Sequence, residues 1–123
     1  PRVTKTVLTV DDSRTMRDML LLALEGAGYT VIQAVDGVDG LETLASKGAD
    51  VIITDINMPR MDGFGFIEGM RAHPDHRTTP VLVLTTESDA EKKQRARAAG
   101  ATGWIVKPFD PVKLVDAVRR VAA

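Results

Sequence analysis

Five short apolar runs, each followed by a segment of helical spacing, constrain this chain more than any other feature. The runs are Thr6–Val10, Tyr29–Ala34, Val51–Thr54, Val81–Thr85 and Trp104–Val106. They are rich in β-branched residues, and several are apolar on both faces. Such runs suit strands buried on both faces of a parallel sheet. The segments between them carry helix punctuation. Met16, Leu20, Ala23, Leu24 and Ala27 repeat at helical spacing, after Asp12 and Ser13 as candidate N-caps and before Gly28 as a stop. Asp36 is placed to cap a second helix through Leu41 and Leu44. Asp62 is placed to cap a third, carrying Phe64, Ile67 and Met70. Ser88-Asp89-Ala90-Glu91 reads as a capping box opening a fourth helix that stops at Gly100. Asp110-Pro111 opens a fifth, with Leu114, Val115, Val118 and Val121 or Ala122 inward. The expected fold class is α/β, a (βα)5 doubly wound five-stranded parallel sheet. Five strands are too few for an eight-strand barrel.

Composition narrows the function classes. At 123 residues the chain is one domain's worth, and no linker, repeat or low-complexity segment divides it. It has no cysteine, which excludes a disulfide scaffold, a thiolate zinc site and a cysteine nucleophile. Sixteen basic residues against seventeen acidic give a net charge of −1, the wrong sign for nucleic-acid binding by bulk electrostatics. No signal-peptide pattern opens the sequence, and no apolar run approaches the roughly 20 residues of a membrane span. A cytoplasmic location without membrane insertion is expected.

In open α/β sheets, ligands bind beyond the carboxyl ends of the strands, where strand order reverses. Asp11 and Asp12 follow the first run, Asp55 the third, Thr85 and Thr86 end the fourth, and Lys107 follows the fifth. If the strand order is 2-1-3-4-5, these groups converge on one edge. Three carboxylates in one pocket repel, and their pKa values rise unless a cation compensates. An all-oxygen donor set suits a hard ion, Mg²⁺ above all. A metal and a lysine beside a carboxylate nucleophile suit phosphoryl transfer, and Asp55 is the central candidate. Thr85 and Lys107 would each contact a phosphoryl oxygen. Spacing alone does not settle this assignment.

Four motifs, in order, carry a resemblance over essentially the whole chain. They are Val10-Asp11-Asp12-Ser13, Thr54 to Gly63 (TDINMPRMDG), Leu84-Thr85-Thr86-Glu87, and Gly100 to Phe109 (GATGWIVKPF). The sequence resembles the receiver domain of two-component response regulators, nearest to its stand-alone chemotaxis members. The order 2-1-3-4-5, a flavodoxin-like arrangement, comes from that resemblance. It further implies Asp55 as phospho-acceptor and Asp12 as direct Mg²⁺ ligand, with Asp11 acting through water and Asn57 giving its backbone carbonyl. It implies Thr85 as the switch hydroxyl, Lys107 as the phosphoryl-pairing lysine and Lys107-Pro108 as a cis peptide. Trp104 stands at the switch aromatic, and Asn57 and Glu87 at the two positions that tune phospho-aspartate hydrolysis.

The expected protein is thus a receiver over 1–123 without an output domain. It would be a signalling protein, a monomer, whose only catalysis is self-directed phosphoryl transfer and auto-dephosphorylation. A histidine kinase would be its phosphodonor, and a flagellar motor switch protein its target. The target face would involve helix 4, strand 5 and helix 5, with Lys92, Lys93, Arg95, Arg97, Lys113, Arg119 and Arg120 suiting acidic or amphipathic peptides. A phosphate sink or phosphorelay shuttle is the alternative. An aspartyl-phosphate-forming phosphatase would need DxD after strand 1 and a cap insertion, where this chain has Asp11-Asp12 and short loops. A flavodoxin-like carrier would need a glycine- and hydroxyl-rich phosphate loop there instead. Plainer readings stand beside each residue: Asp11-Asp12 as helix caps, Thr85 as a strand residue, Lys107 as a solvated lysine, Trp104 as core filling. The basic residues of helix 4 read as a solvated face, and the methionines at 16, 19, 58, 61 and 70 as packing. Gly63 and Gly65 read as helix entry and close packing, and His73 and His76 as surface-loop residues rather than a metal pair.

Overall fold

A computed structural model describes residues 4–86 and 90–122. In chain order the elements are β1 (Thr6–Val10), α1 (Arg14–Gly26), β2 (Thr30–Ala34), α2 (Gly37–Lys47), β3 (Val51–Asp55) and α3 (Gly63–Arg71). A 3₁₀ turn (Pro74–His76), β4 (Val81–Thr85), α4 (Ala90–Ala99), β5 (Gly103–Val106) and α5 (Pro111–Ala122) complete it. The strands form one parallel sheet in the order β2-β1-β3-β4-β5. The expected fold class and strand order are both observed.

Successive strand residues point to opposite faces, and the sheet sorts its side chains accordingly. Leu8, Val10, Ile52, Val81 and Val83 join α2, α3 and α4 in one core through Leu44, Phe66, Ile67, Met70 and Ala96. Val7, Val51, Ile53, Leu82 and Leu84 join α1 and α5 in the other through Leu20, Leu24, Leu114 and Val118. β3 and β4 are buried at every position, which is why their runs show no polar alternation. Each fully buried Leu, Ile or Phe contributes roughly 1.5–3 kcal/mol, so these two layers carry the fold.

The caps resolve what local sequence left open. Ser13, not Asp12, caps α1 by accepting the Met16 N–H at 3.2 Å. Asp36 caps α2 through the Asp39 N–H, and Asp62 caps α3 through the Gly65 N–H. Asp110 accepts the Val112 N–H at the start of α5. Residues 88 and 89 of the expected capping box lie outside the described residues. β3 runs one residue further than expected and ends on Asp55, paired with Leu84. Met19 is 42% exposed, so it does not serve the core packing expected of the methionines.

α4 differs from the other helices. Ala96 is its one buried residue among those described. Its C-terminal end is held instead by Arg71, whose guanidinium donates to the Gly100 carbonyl at 2.7 and 3.1 Å and to the His76 carbonyl at 2.9 Å. The helix is therefore pinned at one end and lightly packed along its length.

Gly63 marks where α3 meets the end of β3. Its N–H donates to the Ile56 carbonyl at 2.7 Å. A Cβ there would lie 2.3 Å from the Asp55 carbonyl oxygen and 3.0 Å from the Ile56 Cα, both backbone atoms that cannot swing away. Gly63→Ala is expected to cost about 1–3 kcal/mol, the usual range for overpacking. Urea unfolding of the two proteins checks this, and an unchanged midpoint would show that the β3–α3 loop yields easily.

Candidate functional site

β1 delivers Asp11 to the carboxyl edge of the sheet fully buried, with Asp12 exposed beside it. The Asp11 backbone N–H donates to the Ala34 carbonyl at 3.1 Å. Its carbonyl accepts the Arg17 guanidinium at 2.7 Å, and its Oδ1 accepts the Ser13 N–H at 2.9 Å. The carboxylate is thus aimed by three bonds from β2, α1 and the α1 cap. The remaining oxygen, Oδ2, is buried and has no hydrogen-bond partner among the described residues. Burial pushes the Asp11 carboxyl above its ordinary range. The Asp55 carboxylate and, more weakly, Asp12 act in the same direction, while the Ser13 N–H and Lys107 oppose them.

Asp55 ends β3 at 9% exposure, and its Oδ1 accepts the Ile56 N–H at 2.8 Å. Asp11, Asp12 and Asp55 each offer an oxygen, all within 4.8 Å of one another. Lys107 approaches from the end of β5, with its Nζ 3.1 Å from Asp55 Oδ1 and 3.8 Å from Asp11 Oδ2. The Lys107 N–H donates to the Thr85 carbonyl at 2.8 Å, and the Lys107-Pro108 peptide is cis, as the motif implied. Thr85 is buried at the end of β4, paired with Val106. Parallel register alone brings the ends of β1, β3, β4 and β5 to one edge.

Asn57 is exposed, two residues beyond Asp55. Glu87 lies outside the described residues. Trp104 is half-buried, paired with Val83 and packed against the α2/α3/α4 core. Lys93 and Arg97 of α4 lie over its ring at 5.1 and 5.2 Å, and Arg95 lies 4.2 Å from the Phe64 ring. Cation–π contacts thus attach α4 where its apolar packing is thin. His73 and His76 take no part in the acidic cluster. His73 Nδ1 accepts the Asp75 N–H, and His76 Nδ1 shares a hydrogen bond with Thr79 Oγ1.

Sequence reasoning missed two contributors. Arg17 holds the Asp11 backbone from the first turn of α1. Arg60 was passed over, yet its guanidinium makes a two-pronged bond to Asp36, at 2.7 and 3.0 Å. Neither side chain carries a local signal, because each acts on a partner the fold supplies.

The description "Response regulator receiver domain" matches residues 7–119. The chain belongs to the response regulator receiver family. The receiver is 36% identical over 116 residues to a protein of Rhizobium etli named "Probable chemotaxis protein CheY", spanning 94% of this chain and 90% of that one. It is 39% identical over 114 residues to the DNA-binding transcriptional regulator NtrC of Escherichia coli, covering 93% of this chain but 24% of NtrC. Among solved structures it is similar to the chemotaxis response regulator CheY4 of Vibrio cholerae. The identity is 46%, the TM-score 0.93, and the coverage 97% and 99% of the two chains. It is also similar to the receiver domain of a histidine kinase from Syntrophus aciditrophicus, at 34% identity and a TM-score of 0.89, covering 97% and 90%. Receiver domains are two-component signalling proteins that bind Mg²⁺ at an acidic pocket, and the three aspartates here form a cluster able to hold a metal. The orphaned Asp11 Oδ2 and the all-oxygen donor set fit such an ion. Among the described residues, no helix is long and apolar enough to cross a membrane.

The raised Asp11 carboxyl has a stability consequence. A group whose folded pKa exceeds its unfolded value of about 3.8 is favoured protonated in the fold, so its ionised form at neutral pH is a net cost. Asp11→Asn keeps an oxygen for the Ser13 N–H and removes that cost. In chelator at pH 7 the variant is expected to unfold at higher urea than the wild type. The gain should shrink as pH falls towards 4, and Mg²⁺ should stabilise the wild type more than the variant. Urea melts at pH 4 and 7, with chelator or Mg²⁺, check all three.

Proposed function

We propose that this receiver accepts a phosphoryl group on Asp55 and uses it to switch partner binding. The observation that carries this reading is Lys107 Nζ at 3.1 Å from Asp55 Oδ1, with carboxylate oxygens of Asp11 and Asp12 within 4.8 Å of one on Asp55. Asp11, Asp12 and Asp55, with the Asn57 backbone carbonyl, would hold Mg²⁺. When bound, the ion supplies positive charge against the phosphoryl oxygens. The ionised Asp55 oxygen attacks phosphorus in line; its new P–O bond replaces the P–N bond of a phosphohistidine donor, and the imidazole departs taking a proton from solvent. Lys107 pairs with an equatorial oxygen as charge redistributes. A histidine kinase is the donor, in the cytoplasm. Auto-dephosphorylation is tuned by the residues at 57 and 87, a pairing that resembles fast-cycling chemotaxis regulators.

The added charge and acceptor oxygens draw the Thr85 hydroxyl towards the phosphoryl group. Trp104 then packs inward behind it. Lys93 and Arg97 lie over the indole, so a moved Trp104 shifts α4, which its single buried residue restrains only lightly. The α4–β5–α5 face changes as a result, and its exposed Arg95, Lys113, Arg119 and Arg120 suit an acidic or amphipathic segment of a flagellar motor switch protein. A phosphoryl contact made in one state alone is enough to bias two states a few kcal/mol apart.

Incubation with acetyl phosphate and Mg²⁺, read by intact mass, is expected to give one phosphoryl adduct. The adduct should be absent in Asp55→Asn and in chelator. Lys107→Ala should form it about a hundredfold more slowly, by analogy with the loss of one charge-stabilising donor. No adduct from folded, Mg²⁺-saturated protein would overturn the reading. Thr85→Ala should still form the adduct but lose phosphorylation-dependent binding to its partner. Retained dependence would remove Thr85 from the switch.

A further inference from the structure

Arg60 occupies a conformation that its residue type does not favour. Its φ is +64°, and among the described residues it is the one non-glycine with positive φ. Glycine would make this turn without steric penalty. What arginine adds is reach. Its Nε and Nη2 donate to the two oxygens of Asp36, 24 residues earlier, at 2.7 and 3.0 Å. Asp36 is 4% exposed and also caps α2, so the partner is held before Arg60 arrives.

The clamp joins two loops that both border the acidic site. On one side, the β2–α2 turn follows Ala34, whose carbonyl takes the Asp11 N–H. On the other, the segment from Ile56 to Asp62 carries Asn57. One backbone bond reinforces the junction, Gly37 N–H to the Met61 carbonyl at 3.2 Å, and a second closes the β3–α3 loop on itself, Gly63 N–H to the Ile56 carbonyl at 2.7 Å. A Cβ on Gly37 would meet Met61 at 2.7 Å, so the loops are in direct contact. Asn57 to Pro59 lie between anchors at Ile56 and at Arg60–Met61.

We infer that Arg60 is a positioning residue for the Mg²⁺ and phosphoryl site, acting through Asp36 to hold the loop that presents the Asn57 carbonyl. This deepens the proposed function and rests on it. The Arg60 side chain is 57% exposed, so it contributes little to the core, and its effect falls on loop placement.

The test uses the full chain and three variants. Arg60→Gly keeps the turn and removes the clamp, Asp36→Asn keeps an α2 cap but loses the two-pronged carboxylate, and Arg60→Lys restores one charge. Mg²⁺ affinity by titration calorimetry and urea midpoints are measured for each. Mg²⁺ affinity should fall roughly tenfold in Arg60→Gly and Asp36→Asn, as for the loss of a ligand-orienting partner. Arg60→Lys should fall between them and the wild type, while the Arg60→Gly midpoint stays at or above that of wild type. Wild-type affinity in both Arg60→Gly and Asp36→Asn would overturn the clamp while leaving the phosphorylation reading intact. Affinity losses that track stability losses variant for variant would reduce Arg60 to a structural residue and also overturn it. Failure of the wild type itself to bind Mg²⁺ would overturn both readings.

Discussion

Three carboxylates crowd the carboxyl ends of β1 and β3, and the surrounding structure is arranged to hold them there despite their mutual repulsion. Asp11 is fully buried and lifted above its ordinary range, with one oxygen lacking a hydrogen-bond partner among the described residues. Lys107 offsets part of that cost from β5, nearer to Asp55 than to Asp11. An unmet electrostatic demand of this kind is a ready affinity for a hard cation. The site stores its function as a local instability that the two cores sustain.

Those cores sustain it because the sheet is buried on both faces. β3 and β4 cannot slide without moving whole layers of Leu, Ile and Val, so their ends are fixed points. Asp55 and Thr85 inherit that rigidity as the last residues of their strands. The loops beyond are held by other means. Arg17 grips the Asp11 backbone, Gly63 closes against Ile56, and Arg60 reaches Asp36. Rigid strand ends and braced loops together give a preorganised site.

α4 supplies the opposite property. Its buried contact is Ala96, its C-terminal end is tied through Gly100 to Arg71, and its cationic side chains rest on Trp104 and Phe64. Cation–π contacts at partly exposed positions are worth about 0.5–1 kcal/mol each, small against a core leucine. A helix so attached yields before any strand does. The molecule thus pairs a stiff chemical edge with one loosely held helix next to its half-buried tryptophan.

Much of this was written in the local sequence. Alternating β-branched runs and helix caps specify the (βα)5 order, because strand and helix periods and capping groups are local properties. Four motifs also placed Asp11, Asp12, Asp55, Thr85 and Lys107 at strand ends. What the local pattern could not decide was which strands neighbour each other; that order came from family resemblance, and the sheet bears it out. Only tertiary structure separated Ser13 from Asp12 as the α1 cap, since both can accept the same N–H groups until Asp12 is committed to the acidic edge. Only tertiary structure revealed Arg17 and Arg60, because a long side chain's partner is set by which backbone the fold brings within reach. Local sequence thus determined the elements and the residues at their ends. Packing decided which ends meet, how far burial shifts a carboxylate there, and what braces the loops around it.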